Sequence, residues 1–131
     1  MYRGKTDGSG DPKEILANVS MPSDIFFDLE DEIVYYLSNN TDLYKYEDDE
    51  TTVIRSGFES ATSLVQFKKN LVVADSDSGI FVLTENSGQY SEYSTLNMTG
   101  VRAVTYFESD TAQIVAGILS GVATLFVLIS F

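Results

Sequence analysis

The chain has 131 residues, which gives room for one small domain, and its 20 acidic against 8 basic residues leave a formal net charge of -12 at pH 7. This charge repels phosphate backbones and anionic lipid surfaces, so nucleic acid is excluded as an expected partner. Cysteine and histidine are absent from the sequence, which excludes disulfides, thiolate chemistry, the usual zinc centres and the standard nucleophilic triads.

The N-terminal residues 1–13 are rich in glycine and charge and contain no apolar core. They predict a flexible leader without the hydrophobic region of a signal peptide. Residues 14–17 then resemble the closing segments 52–55 and 92–95 of two later units. We therefore expect the ordered chain to begin in the outer strand of a preceding unit.

An internal repeat dominates the middle of the chain, because the pattern at 33–37 returns at 71–75 after an offset of 38 residues. Short apolar runs separated by polar turns predict four strands in each unit. In the first unit the predicted strands are 25–28, 33–37, 42–46 and 52–55. In the second unit they are 62–67, 70–74, 79–84 and 90–95, and a further first strand is predicted at 103–106.

A period near 40 residues with several short strands per unit is typical of a propeller blade, a four-stranded sheet that stacks on its neighbours. The predicted fold class is all-β: a partial β-propeller of two four-stranded antiparallel blades plus flanking strands over residues 14–107, followed by a C-terminal transmembrane-type helix. The second strand of each blade is expected to be the most buried. Alternation predicts one face with Val34, Tyr36, Val72 and Ala74, and the other with Ile33, Tyr35, Leu71 and Val73.

The spacing in both units resembles the YWTD propeller repeat of the low-density-lipoprotein receptor class (class B). Pro22, an apolar strand ending in Asp28, and the run 33–37 occupy successive positions of that pattern. In the second unit the run 71–75 keeps the final aspartate, Asp75. The resemblance covers residues 14–107, and the NHL type of repeat gives a similar pattern.

The sequence departs from the YWTD pattern at several positions. Leu37 stands at the place of the final aspartate in the first unit, Gln66 stands at the place of the strand-ending aspartate in the second, and there is no tryptophan. The resemblance implies a six-bladed ring, which at about 40 residues per blade needs roughly 240 residues. Two blades cannot close such a ring, so the alternatives are a fragment of a larger receptor, a propeller completed by other chains, or open sheets.

Residues 112–131 contain no charged residue and consist mainly of Ile, Val, Leu, Ala, Gly and Phe. The residues from Ile114 onward would span about 27 Å as a helix, close to the hydrocarbon thickness of a bilayer. They predict a membrane helix, with Gly117 and Gly121 at the spacing that lets two helices approach closely. A buried core helix or further propeller strands are the alternatives, and a GPI signal or a tail anchor has a similar composition.

Three N-glycosylation sequons favour an extracellular location: Asn18-Val-Ser20, Asn39-Asn-Thr41 and Asn97-Met-Thr99. All are predicted at turns or strand ends, and Asn39 in a hairpin turn is predicted to be the most accessible. The alternative topology is a tail-anchored protein with its blades in the cytosol.

The carboxylate clusters 28–32 and 47–50, together with the run that starts at Asp75, are the candidates for chemistry in the sequence. Asp75 and Asp77 form a weak calcium candidate, because Asn86 stands where a calcium loop of the EF-hand type has its bidentate glutamate. No cofactor and no enzymatic activity is predicted, and a hydrolase with an acidic pair is the less favoured alternative.

The predicted function is a membrane-anchored extracellular binding or scaffolding module of receptor-like type, a fragment or remnant of a larger receptor. Its expected partners are a protein bound through blade faces or loops, the lipid bilayer at residues 112–131, and further chains or copies that complete the propeller. A cytosolic tail-anchored adaptor is the main alternative.

Overall fold

The computed structural model describes residues 1–107, 113–120 and 123–130; for residues 93–95 and from 106 onward only the backbone is described. Every regular element in this part of the chain is a β-strand. The strands are β1 (Tyr2–Arg3), β2 (Lys13–Glu14), β3 (Pro22–Asp28), β4 (Ile33–Ser38), β5 (Asp42–Glu47), β6 (Glu50–Ser56), β7 (Ala61–Phe67), β8 (Asn70–Asp75), β9 (Gly79–Asn86), β10 (Gln89–Leu96), β11 (Val101–Phe107), β12 (Gln113–Ser120) and β13 (Ala123–Ser130).

The strands form meanders in which sequence neighbours pair antiparallel. Strands β3 to β6 make a four-stranded sheet in that order, called sheet 1, and β7 to β10 make sheet 2 in the same order. Strands β11 to β13 make the three-stranded sheet 3. The two predicted four-stranded units are therefore confirmed. Polar turn residues such as Glu32, Asn39 and Asp48 adopt left-handed conformations, which reverse the chain between strands.

The first strands of the three sheets lie side by side, with β7 in contact with both β3 and β11. Each first strand carries a bulge at its second residue, which is Ser23 in β3 and Thr62 in β7. The Ser23 hydroxyl donates to the Ala61 carbonyl at 3.1 Å, and the Thr62 hydroxyl donates to the Val101 carbonyl at 3.4 Å. The same side-chain bond therefore joins each sheet to the next.

Two apolar cores lie between the three sheets. The core between sheets 1 and 2 consists of Ile33, Tyr35, Leu37, Leu43, Phe58, Ala61, Leu64, Leu71, Val73, Phe81 and Leu83. The core between sheets 2 and 3 consists of Val65, Phe67, Val72, Ala74, Ile80, Val82, Val101 and Val104. Strand β4 is buried along its whole length, and in β8 alternate residues enter opposite cores. The predicted alternation of faces in these two strands is confirmed.

The repeat offset is 37 residues between the second strands, from Ile33 to Asn70, and not the predicted 38. The reason is that the turn before the second strand shortens, from residues 29–32 in sheet 1 to residues 68–69 in sheet 2. Ser38, which ends β4, is therefore the counterpart of Asp75. The alignment that gave this position to Leu37 is wrong by one residue. The counterpart of Asp28 at the end of the first strand is likewise Phe67 and not Gln66.

The N-terminal residues, predicted as a flexible leader over 1–13, contain the short pairing of β1 with β2. This segment lies against sheet 1, where the Arg3 guanidinium carbon is 5.5 Å from the centre of the Phe27 ring. In the region predicted as an outer strand at 14–17, only Glu14 belongs to a strand.

The continuous helix predicted for residues 112–131 is not confirmed. The structure has strands β12 and β13 at residues 113–120 and 123–130, paired antiparallel with each other, and β12 also pairs with β11. The strands have a physical basis, since β-branched valine, isoleucine and threonine are frequent in this run and favour strands. Apolar character alone does not decide between the two conformations.

The described residues include no helix with the length and apolar character needed to cross a membrane. Contact between residues 112–131 and a lipid bilayer stays a prediction.

Candidate functional site

The connections between strands lie at two opposite ends of sheets 1 and 2, because consecutive antiparallel strands reverse direction. One end, called the junction end, carries residues 39–41, 57–60, 76–78 and 97–100. The other, called the cleft end, carries the turns 29–32, 48–49, 68–69 and 87–88. The two ends differ in how far their polar groups are satisfied within the chain.

The Asp75 carboxylate joins two loops of the junction end through hydrogen bonds. Its side chain is fully buried, and its Oδ2 accepts the N–H groups of Glu59 and Ser60 at 2.8 and 3.0 Å. Its Oδ1 accepts the N–H groups of Asp77 and Ser78, both at 2.9 Å. Burial alone would raise the pKa of this carboxyl, but the four backbone donors outweigh burial, and the pKa lies below its ordinary value.

Asp75, one of the two residues of the weak calcium candidate, therefore has a structural role as an acceptor of backbone hydrogen bonds. Both Asp75 oxygens face N–H donors, whereas a calcium ligand must direct its oxygens at the cation. The Asp77 side chain is exposed. No group of three or more acidic side chains in the described residues could hold a metal ion.

Backbone bonds complete the junction end. The Phe58 N–H donates to the Thr41 carbonyl at 3.0 Å, and the Gly100 N–H donates to the Ser76 carbonyl at 2.6 Å. These bonds tie the connection after each sheet to the second turn of that sheet. The junction end is thus occupied by its own hydrogen bonds and serves the fold.

All three sequon asparagines, Asn18, Asn39 and Asn97, are exposed, and Asn39 and Asn97 belong to the junction end. The N–H of Asn39 donates to the carbonyls of Ser20 and Met21, which places the segment after Asn18 beside the hairpin turn. Sugars attached at these positions would leave the cleft end uncovered.

At the cleft end, a cavity of about 390 Å³ opens between sheets 1 and 2. Its walls combine aromatic, amide and charged side chains from both sheets. They include Asp28, Tyr35, Lys45, Gln66, Glu85 and Tyr90. This cavity is the candidate functional site, because its lining keeps polar groups that the fold does not use.

The two tyrosines at the base of the cavity join the sheets. The hydroxyl oxygens of Tyr35 and Tyr90 are 2.9 Å apart, and their rings meet edge to face with centres 6.4 Å apart. Burial raises the pKa of both phenols. The pair therefore stays protonated at neutral pH, and one of its two protons is free to donate to a bound group.

Gln66 supplies the unsatisfied group of the cavity. Its Nε2 donates to Asp28 Oδ2 at 2.8 Å and to the Lys68 carbonyl at 3.1 Å. Its Oε1 is buried and has no hydrogen-bond partner. The reverse orientation of the amide would set an oxygen against the Asp28 carboxylate, so the amide is fixed with its nitrogen toward Asp28 and its oxygen buried.

Charged side chains form the rim of the cleft end. Lys45 Nζ lies 2.6 Å from Glu47 Oε2; partial burial would lower the pKa of Lys45, but the bond to Glu47 raises it overall. The acidic side chains of this end are Asp28, Glu30, Asp31, Glu32, Glu47, Asp48, Asp49, Glu50 and Glu85. Three lysines of the sheets and three basic residues of the N-terminal segment only partly offset these nine, so the rim is acidic: Lys45, Lys68, Lys69, Arg3, Lys5 and Lys13.

Arg55 joins sheets 1 and 2 near the junction end of β6, away from the lining of the cavity. The Arg55 guanidinium carbon is 4.1 Å from the centre of the Phe81 ring and 4.6 Å from that of Phe58. Its Nη1 also pairs with Glu92 Oε2 across the two sheets. Cation–π contact and ion pairing act here on the same side chain.

The sequence identified the acidic clusters of the rim, and it identified Gln66 only as a departure from a motif. It did not identify Tyr35, Tyr90 or Arg55, since their contacts join residues far apart in the chain. Of the two glycines predicted to pack helices, Gly117 lies in β12, paired with Ala103 and Phe126. Gly121 lies outside the described residues.

A comparison with models of known protein families and with curated proteins finds no match to this chain.

Proposed function

We propose that sheets 1 to 3 are blades of a β-propeller and that the chain is an extracellular binding or scaffolding module whose contact surface is the cleft end. The repeated side-chain bonds between β3, β7 and β11 support blade stacking, since each first strand contacts the next in the same way. The resemblance to YWTD repeats is a second, weaker support. Propeller blades stack in this manner around a common axis.

The single observation that carries the binding role is the cleft-end cavity with its unsatisfied groups. The hydroxyls of Tyr35 and Tyr90 share one hydrogen bond, which leaves one phenol proton for a bound polar group. The acidic rim and the net charge of -12 favour a cationic partner. We therefore propose a basic segment of a protein as the occupant, with its Lys or Arg side chains at the rim and a polar group on the cavity base.

Binding of a fluorescein-labelled peptide of alternating lysine and glycine to the full chain, measured by anisotropy, tests this role. Replacing Glu30 by Gln and Asp31 by Asn together is expected to weaken binding about threefold to tenfold, at about 0.3 to 0.7 kcal/mol for each exposed charge. The expected loss shrinks as salt is added, because exposed charges are screened.

The matched control is Glu59→Gln with Asp77→Asn, which removes the same charge at the junction end. Equal weakening by both pairs would show attraction by net charge alone and would contradict a site at the cleft end.

The extracellular location predicts glycans at the junction end. In a secretory expression system, Asn39→Gln is expected to remove one endoglycosidase-sensitive step in mass, since Asn39 is exposed in a hairpin turn. Asn40→Gln is the control, because Asn40 is also exposed with a similar φ, 59° against 55°, but is not the acceptor of a sequon. A wild-type chain without any endoglycosidase-sensitive mass would contradict this location.

A further inference from the structure

One row of side chains crosses the face of sheet 1 that points away from sheet 2. Its members are direct cross-strand partners on four successive strands, so they share one face. They are Ile25, Tyr36, Tyr44 and Val53. Tyr36 and Tyr44 stack with ring centres 5.1 Å apart and ring planes 10° apart. The row is therefore apolar and aromatic from the inner strand to the outer strand.

Sheet 2 has the equivalent row at Leu64, Val73, Phe81 and Thr95. Leu64, Val73 and Phe81 of that row are covered by sheet 1 and belong to the core between the sheets. The same positions in sheet 1 are open at both ends of the row: Ile25 is 51% exposed where Leu64 is 5% exposed, and Val53 is 52% exposed. The face that is a packing surface in sheet 2 is thus exposed at both ends of the row in sheet 1, whereas Tyr36 between them is only 5% exposed.

The N-terminal segment lies over the neighbouring row. Arg3 lies over the Phe27 ring, and Ile15 and Val34 line a cavity of about 660 Å³ that remains between this segment and sheet 1. Ile25 and Val53 stay outside this cover. The cover is incomplete, because well-packed interiors leave few voids larger than a water molecule.

We propose that this row, called the stacking row, is a docking surface for sheet 3 of a second copy of the chain. Within the chain, the element that covers a row of this kind is always the preceding sheet, with its bulged first strand in contact. In both internal contacts the residue after the bulge accepts a backbone N–H of the next sheet: Leu64 N–H to Asp24 Oδ2 at 2.7 Å, and Val104 N–H to Ser63 Oγ at 3.4 Å.

Sheet 3 carries Ala103 at the corresponding position, with an exposed side chain. Alanine has no acceptor, and the Ile25 N–H is already bonded to Asp24 Oδ1 at 2.8 Å, so the contact between copies is apolar at this point. The sequences of β12 and β13 contain no charged residue, which suits a buried contact with an apolar row. Sheet 3 of one copy on sheet 1 of another is a head-to-tail contact, and such contacts close into rings when the rotation allows. Sheets 1 to 3 of two copies together number six, which is within the four to eight blades of closed propellers.

This inference rests on the equivalence of the two rows and does not depend on the peptide-binding role of the cleft end. A second copy also adds a second net charge of -12, so repulsion opposes association and salt is expected to strengthen it. Peptide binding at the cleft end is expected to weaken with salt. The two proposals therefore respond to salt in opposite directions.

The absence of cysteine from the chain allows a clean cross-linking test. The pair Ile25→Cys with Ala103→Cys reproduces, between copies, the contact of Leu64 with Asp24 inside the chain. Oxidation of the double variant is expected to give a covalent dimer on a non-reducing gel, and Ala103→Cys alone is expected to give none. Dimers formed by Ile25→Cys alone would show a face-to-face contact and would overturn the proposal.

Sedimentation velocity of the full chain supplies the second readout. Ile25→Arg with Val53→Arg is expected to weaken dimer formation at least tenfold, because it sets two charges in the stacking row. The control Leu29→Arg adds charge at an 82% exposed turn residue and is expected to leave the dimer unchanged. A monomer without cross-links at any salt concentration, or an open series of larger species, would overturn the closed pair.

Discussion

Replacing Gly79 by alanine is expected to lower the free energy of unfolding by about 3 to 5 kcal/mol, the sum expected for a strained φ and an overpacked side chain. Gly79 has a φ of +116°, a region that residues with a side chain rarely adopt. A Cβ on Gly79 would lie 2.0 Å from the Leu96 carbonyl oxygen and 2.8 Å from the Met98 nitrogen. Both obstacles are backbone, so no side-chain rotation relieves them.

The backbone of Leu96 and Met98 cannot move freely, because it begins the connection from sheet 2 to sheet 3. The Gly100 N–H in that connection is bonded to the Ser76 carbonyl at 2.6 Å. Urea denaturation followed by circular dichroism measures the loss. Gly88→Ala is the control, since Gly88 also has a positive φ of +81° but has no atom within 4 Å of the added Cβ; its expected cost is about 1 to 2 kcal/mol. Equal losses in both variants would show that φ strain alone matters at Gly79.

Much of the sheet architecture could be predicted because its signals are local. Runs such as 33–37 and 71–75 alternate between two buried faces, and polar turn residues stand between them. The offset between units could not be fixed to one residue. Turn length decides it, and the turn before β8 is two residues shorter than the turn before β4, which pattern matching alone does not show.

The C-terminal run shows where hydropathy stops being informative. Residues 113–130 are apolar enough for a membrane helix, yet β12 pairs with both β11 and β13. These pairings satisfy backbone groups between strands as a helix would satisfy them internally. A helix and a pair of strands can be distinguished here only from the tertiary structure, in which β11 offers an edge for β12 to pair with.

Of the candidate site, only its negative charge could be predicted from the sequence. Acidic turns at 29–32 and 47–50 can be recognised in the sequence, and they form the rim. The base of the cavity cannot be recognised, since Tyr35 and Tyr90 are 55 residues apart and meet only after sheets 1 and 2 stack. Gln66 acquires its unsatisfied oxygen from the same stacking, because Asp28 on sheet 1 takes its amide nitrogen.

Replacing Asp75 by asparagine is expected to lower the free energy of unfolding at pH 7 by about 2 to 4 kcal/mol. The asparagine amide keeps one acceptor oxygen but sets its NH₂ group against two of the four N–H donors. Each of these two donors loses a charge-assisted hydrogen bond of about 1.5 to 3 kcal/mol. Relaxation of the surrounding backbone offsets part of this loss. Asp77→Asn is the control, because that exposed side chain accepts only a long 3.5 Å bond from Ser76. Its expected effect is within about 0.5 kcal/mol.

The loss at Asp75 is expected to depend on pH in a defined direction. The pKa of Asp75 is lowered in the folded protein, so its carboxylate contributes stability that is fully present above the unfolded pKa of about 4 and is lost as pH falls through the folded pKa. The difference between wild type and Asp75→Asn should therefore be constant from pH 7 to about pH 5 and should shrink below about pH 4. Urea titrations of both proteins at each pH measure it, and comparison of the two cancels the titration of the other carboxylates. A difference that stays constant down to pH 2.5, or grows on acidification, would mean that the four N–H donors do not hold Asp75 as a carboxylate.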